Sequence, residues 1–120
     1  MDIKSILSMD TEDLCVWVQN NFTVKQMTDI TGIEDMKEAA RLNFELSSYE
    51  TYFSNLLSYA EVLTRQAKRE YSKIEYENMV DRKKIIANKH ESLKHQREAL
   101  SRSVTIYTKM LDEIKYSERY

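Results

Sequence analysis

The stretch LSSYETYFSNLLSYAEVLTRQAKREYSKI (residues 46–74) decides the fold, because its apolar residues return at Leu46, Tyr49, Phe53, Leu56, Ala60, Leu63, Ala67 and then Ile74. This is a coiled-coil seam, an apolar stripe on one side of a helix that needs an opposing surface. Outward from it, neither glycine nor proline occurs anywhere from Ile33 to Tyr120, so nothing local compels a long helix to stop. A second seam runs through Ile86, Leu93, Leu100, Val104, Tyr107, Leu111 and Ile114, with His90 and Arg97 at two of its inward positions. Two long amphipathic helices separated by one weak point predict an all-α fold, a long antiparallel helical hairpin with coiled-coil character.

The weak point is IEYENMVD (74–81), where the period is lost and where Asn78 or Asp81 can end one helix or cap the next. The turn is therefore expected within residues 75–82. Antiparallel packing about it sets Phe53 against Leu100 and Val104, and Leu63 against Leu93 and His90, in arms ~50 Å long at 1.5 Å per residue. Asn43, Ser47 and Ser48 are poor helix formers, and a break in the first arm near Ser47 is compatible with them.

Residues 1–40 read as short acidic helices ahead of the hairpin of residues 41–120. Asp10 or Thr11 suits the cap of a helix whose first turn is acidic (Glu12, Asp13) and whose apolar side carries Leu14, Val16, Trp17 and Val18. Thr23 is placed to cap a second short helix, Val24 to Ile30, with Gly32 as the left-handed residue just past its end. A helix-turn-helix centred there fails on its third helix, whose inward positions hold Glu38 and Arg41, and on the acids Asp29, Glu34 and Asp35, which repel phosphate. A glycine corner folding a short helix onto the hairpin is the simpler expectation.

Composition narrows the function. The chain has 120 residues, 42% apolar and 32% charged, with one glycine and no proline, which suits one helical domain with much exposed surface. A single cysteine, Cys15, excludes an internal disulfide and fits a reducing compartment. No basic segment followed by an apolar core opens the chain, and no run approaches the ~18 apolar residues of a membrane span, so a cytoplasmic protein is expected, in the host cytoplasm if phage-encoded, with no membrane partner.

Catalysis has no foothold. His90 and His95 are five apart, on different sides of a helix, so they do not share a metal. A glycine-rich phosphate loop is impossible with one glycine. No catalytic residue, no metal and no cofactor is expected, and the chain is read as a non-enzyme. His90 and Arg97, set opposite Ala60 and Ala67, are read as polar residues that fix register.

The net charge of −2 divides unevenly. Residues 1–40 carry three bases and eight acids, whereas residues 65–102 carry eleven bases and six acids. Lys68, Arg69 and Lys73 on the first arm and Arg82, Lys83, Lys84 and Lys89 on the second are expected to converge at the hairpin tip, with Tyr71 and Tyr76 among them. Bases for phosphates and rings for stacking are the ingredients of single-strand binding without sequence choice. The bland reading is a solvated face, since Glu70, Glu75, Glu77, Glu91 and Glu98 supply partners three or four residues away. An apolar stripe too wide for one neighbour, through Tyr52, Leu57, Tyr59 and Val62 on the first helix and Ala99, Ile106 and Met110 on the second, predicts self-association.

Residues 42–117 resemble the UvsY-like recombination mediator proteins of tailed phages. The resemblance is one of layout, carried by Tyr49-Glu-Thr-Tyr52, the run Ala67-Lys-Arg-Glu-Tyr71, the second-helix start Val80-Asp-Arg-Lys-Lys84, and the ending Tyr107-Thr-Lys-Met-Leu-Asp-Glu-Ile114. The polar insertion expected between the long helices of many such proteins is absent, and residues 1–40 fall outside the match. What the resemblance implies is a small helical protein that assembles into rings and binds single-stranded DNA. It also implies a recombinase and a single-strand-binding protein as partners, and it puts candidate DNA contacts at the basic positions around the tip. Two alternatives stand beside it: a coiled-coil adaptor or inhibitor that binds only protein, and a small duplex-DNA-binding regulator using Thr23 to Arg41.

Overall fold

A computed structural model describes residues 2–27, 29–70 and 72–118. Four helices follow in order, α1 (Ile3–Leu7), α2 (Thr11–Asn21), α3 (Ile33–Arg69) and α4 (Lys73–Glu118), and the described residues hold no strand. The two long helices pack antiparallel as a hairpin. At 37 and 46 residues they measure about 56 and 69 Å, and α4 alone accounts for most of the 73 Å long axis of a molecule only 24 by 18 Å across.

The turn falls between the end of α3 at Arg69 and the start of α4 at Lys73, outside the expected 75–82 window, which belongs to α4. The Glu70 amide donates to the Gln66 carbonyl at 3.0 Å and the Ser72 amide to the Ala67 carbonyl at 3.1 Å. The Tyr76 amide then donates to the Ser72 carbonyl at 2.9 Å and opens α4. The reason is a core residue hidden in the aperiodic stretch. Met79 is buried and begins a seven-residue repeat continued by Ile86, Leu93 and Leu100, all buried. Ile74, read as the end of the first seam, is instead 74% exposed.

Moving the turn moves the register. Glu50 pairs with Arg97 and Glu61 with Lys83 across the two helices, which sets Phe53 at the level of Leu93 rather than Leu100, a shift of roughly 11 Å along the axis. Arg97 thus faces Glu50 and not Ala60. Near Ser47 α3 is unbroken; Ser48 returns its hydroxyl to the Phe44 carbonyl at 3.0 Å, which lets a serine sit inside a helix.

The N-terminal segment is a third layer. Asp2 caps α1 through the Ser5 amide (2.8 Å), and Asp10 caps α2 through the Glu12 amide (3.0 Å). Their inward residues Ile6, Leu7, Leu14 and Val18 are buried in the same core as Phe53, Leu56, Ile86 and Leu93. The expected helix from Val24 to Ile30 does not form: the described residues of 23–32 are non-helical. Half of this segment is β-branched, Thr23 sends its hydroxyl back to the Gln19 carbonyl at 2.6 Å, and the Val24 carbonyl accepts from Gln96 Nε2 at 3.0 Å. Nor is Gly32 left-handed. It is an extended N-cap to α3 (φ −169°), and Asp35 fastens that helix start by accepting from the Thr31 amide and hydroxyl at 2.9 and 2.8 Å.

Phe22 holds this layer down. Its ring stacks on Tyr52 (centroids 5.4 Å apart) and meets Trp17, Tyr49 and Phe53 edge to face at 5.0, 5.1 and 4.8 Å. Two of the seven residues expected to need another subunit are therefore covered from within: Tyr52 and Leu57 are half-buried against the chain's own core. Tyr59, Val62, Ile106 and Met110 remain more than half exposed, and Ala99 is also exposed.

Candidate nucleic-acid interface

The basic residues do not converge on one spot. Lys68 and Arg69 end α3 and Lys73 begins α4, so three exposed cations flank the turn. Beside them a shallow cavity of about 200 Å³ is lined by Ala67, Lys68, Ser72, Lys73 and Tyr76, with the Tyr76 ring half-buried at its edge. Tyr71 lies outside the described residues. Lys68, Arg69, Lys73 and Tyr76 are thus the part of the expected constellation that the fold places together.

The other four cations lie further along α4, with Arg82 to Lys84 about 15 Å and Lys89 about 24 Å from Lys73. Because the turn comes earlier than expected, these residues fall on the shaft and not at the tip. Arg82 is committed to the fold: its Nε donates to the Met9 carbonyl at 2.7 Å and its Nη1 approaches Met79 Sδ at 3.6 Å, which ties the α1–α2 junction to α4. Lys83 reaches Glu61 on α3 at 3.8 Å, both side chains remaining partly exposed. Lys84 is exposed. Lys89 is half-buried, and that burial pulls its amine below the ordinary lysine value.

Two polar features were not assembled by sequence reading. Arg97 grips Glu50 in a forked contact, Nε to Oε2 at 2.5 Å and Nη2 to Oε1 at 3.3 Å. The Arg97 hydrogen bond is the main cause holding the Glu50 carboxyl below its usual range, and the same pair raises the guanidinium. His90 lines a groove of about 350 Å³ with this pair. The signal for it was present in Glu50, an acid between the seam residues Tyr49 and Phe53, but finding its partner required the correct register. On another side, a cavity of about 530 Å³ opens between residues 25–27 and α4, floored by Met27, Leu46 and Leu100 and rimmed by Lys25, Glu91 and His95. His95 Nε2 stands 3.4 Å from Glu91 Oε2.

Among the described residues no group of three or more His, Cys, Asp or Glu side chains is placed to hold a metal ion, and no helix is long and apolar enough to cross a membrane. No protein-family model matches the chain, and no curated protein or solved structure is detectably similar to it.

Proposed function

We propose that this chain is a non-enzymatic protein that binds single-stranded nucleic acid at the turn end of its hairpin and serves as an accessory factor in recombination. The observation that carries the reading is the cavity at the turn, which Tyr76 lines together with Lys68 and Lys73, Arg69 following Lys68 at the end of α3. A half-exposed ring offers a stacking face to any base, and two ammonium groups beside it suit the flanking phosphates. Supporting the recombination role is the layout shared with phage recombination mediators, which also suggests the cytoplasm as the place of action, and a recombinase and a single-strand-binding protein as partners. Arg82 and Lys83 contribute to the fold and to the general positive field, and Lys84 and Lys89 extend that field along α4.

The test is fluorescence anisotropy of a labelled oligothymidylate across a salt series. Lys68→Ala and Lys73→Ala should each reduce the slope of log affinity against log salt by roughly 0.7. Tyr76→Ala should cost ~1 to 3 kcal/mol and leave the slope unchanged. A folded Lys68→Ala/Lys73→Ala variant that binds as tightly as the parent, with the same slope, removes the assignment. Absence of any binding at low salt selects the second reading, a protein-binding adaptor or inhibitor, which the exposed Tyr59 and Val62 on α3 favour.

A further inference from the structure

The cavity at the turn and the groove at His90 open on the same side of the hairpin. On α4, Tyr76, Lys83, His90 and Arg97 follow one another at intervals of seven, just under two turns, so they form one stripe beside the buried seam of Met79, Ile86, Leu93 and Leu100. At 3.6 residues per turn this stripe lies about 40° to one side of the seam, whereas Arg82 and Gln96, which hold the N-terminal layer, lie about 60° to the other. On α3, Ser47, Ser54, Glu61 and Lys68 repeat the same interval, on the side away from Tyr49 and Tyr52, which meet Phe22 of the layer. The two stripes run together along the hairpin. Lys68 and Tyr76 line the turn cavity, Glu61 pairs with Lys83, and Ser47 and Ser54 line the groove with His90 and Arg97. From Tyr76 to Arg97 this open face extends ~32 Å.

We propose that a single strand held at the turn continues along this open face as far as Arg97. This path presupposes the binding proposed at the turn and gives it a direction. Charge selects the face. Lys68, Lys73, Lys83, Lys94 and Arg97 stand there against Glu50, Glu61 and Glu98, and the first two of these acids are already paired with Arg97 and Lys83. Lys94 lies close enough to act on Glu50 through its charge, as Glu98 acts on Arg97, so the surplus on this face is positive. The opposite face is covered by residues 1–32, which carry five acids and two bases and repel a polyanion. In the groove the hydroxyls of Ser47, Thr51 and Ser54 offer donors to phosphate oxygens beside the Arg97 and His90 side chains.

Two measurements on the full chain test the path, both with an oligothymidylate of ~15 nucleotides, longer than the roughly nine that span ~32 Å at ~3.4 Å per stacked nucleotide. In anisotropy titrations across a salt series, Lys94→Ala should lower the slope of log affinity against log salt by roughly 0.7, as Lys68→Ala does at the turn, with helicity unchanged. In photo-cross-linking, a thiol-linked benzophenone on Ser54→Cys, in a chain also carrying Cys15→Ser, should capture the strand. The same label on the exposed native Cys15, which sits on α2 of the acidic layer, should not. A parental slope for Lys94→Ala, or capture from Cys15 as efficient as from Ser54→Cys, overturns the path, and a lowered slope for Lys68→Ala in the same series leaves the turn site standing. A parental slope for Lys68→Ala, or no binding of the strand at low salt, overturns both, because the path begins at the turn.

Discussion

Replacing Phe22 by alanine should detach the N-terminal layer from the hairpin, and the size of the effect follows from what the ring touches. Phe22 is half-buried and meets four aromatic rings, of which Phe53 is completely buried. Truncating a fully buried phenylalanine costs about 3–5 kcal/mol. A half-buried one that also loses a stacked and several edge-to-face contacts should cost about 2–3 kcal/mol, since such contacts share one ring and do not add independently. The chain's single tryptophan reports the event directly, because Trp17 lies on α2 with its ring 5.0 Å from Phe22. In native buffer the variant should show red-shifted Trp17 emission with far-UV helicity largely kept, and urea unfolding should give the stated loss. A loss below about 0.5 kcal/mol, the value of an ordinary surface substitution, with Trp17 emission unchanged, would refute the claim that this ring cluster holds the layer in place.

Met79→Ala should cost about 2–3 kcal/mol and Ile74→Ala less than about 0.5 in denaturant titrations, because the α4 seam starts at Met79 and passes Ile74 by; equal costs would contradict the observed register. Glu50→Gln should destabilise by about 1–2 kcal/mol at neutral pH through loss of the charge-assisted fork to Arg97. Because the folded-state Glu50 carboxyl is held low, that stabilisation is fully present above the unfolded glutamate value of about 4.3 and is lost as pH falls through the lower folded value. The wild-type advantage over Glu50→Gln, followed by thermal melts from pH 7 downward, should therefore shrink only below about pH 5. Arg82→Ala should reduce stability by about 1–2 kcal/mol, since the part-buried Met9 carbonyl loses its donor, while the salt slope of single-strand binding stays at the parental value.

The two seams made the hairpin legible, because heptad spacing over many turns reports a buried helix face whatever the partner. The turn was harder to read. Its position depended on one methionine: Met79 sits in a stretch whose other residues, the half-buried Val80 apart, are polar or exposed, so its sevenfold relation to Ile86 was masked by Ile74, an apolar residue that faces solvent. Once the turn moves to between Arg69 and Lys73, every cross-helix pairing moves with it. For that reason the basic residues, of which Lys68, Arg69, Lys73 and Lys84 are exposed, did not meet where they were expected. The segment from Thr23 to Gly32 was misread for a different reason. Thr23 and Gly32 are residues that cap helices, yet here they serve long-range docking, and local propensity carries no information about a carbonyl that accepts from Gln96 seventy-two residues later.

That separation in sequence has a consequence in time. Side-chain hydrogen bonds that tie the N-terminal layer to α4, among them Arg82 to the Met9 carbonyl and Gln96 to the Val24 carbonyl, join residues 73 and 72 positions apart, whereas the hairpin closes through neighbours near its own turn. During synthesis at ~5–20 residues per second, Val24 must wait roughly 4–14 s for its partner to be made. Until α4 is made, the segment holding Leu14, Trp17, Val18 and Phe22 lacks the α4 side of the surface it packs on. The acids around them, Asp10, Glu12 and Asp13, are then placed as gatekeepers for a nascent apolar segment, and the layer made before the hairpin is expected to dock after it.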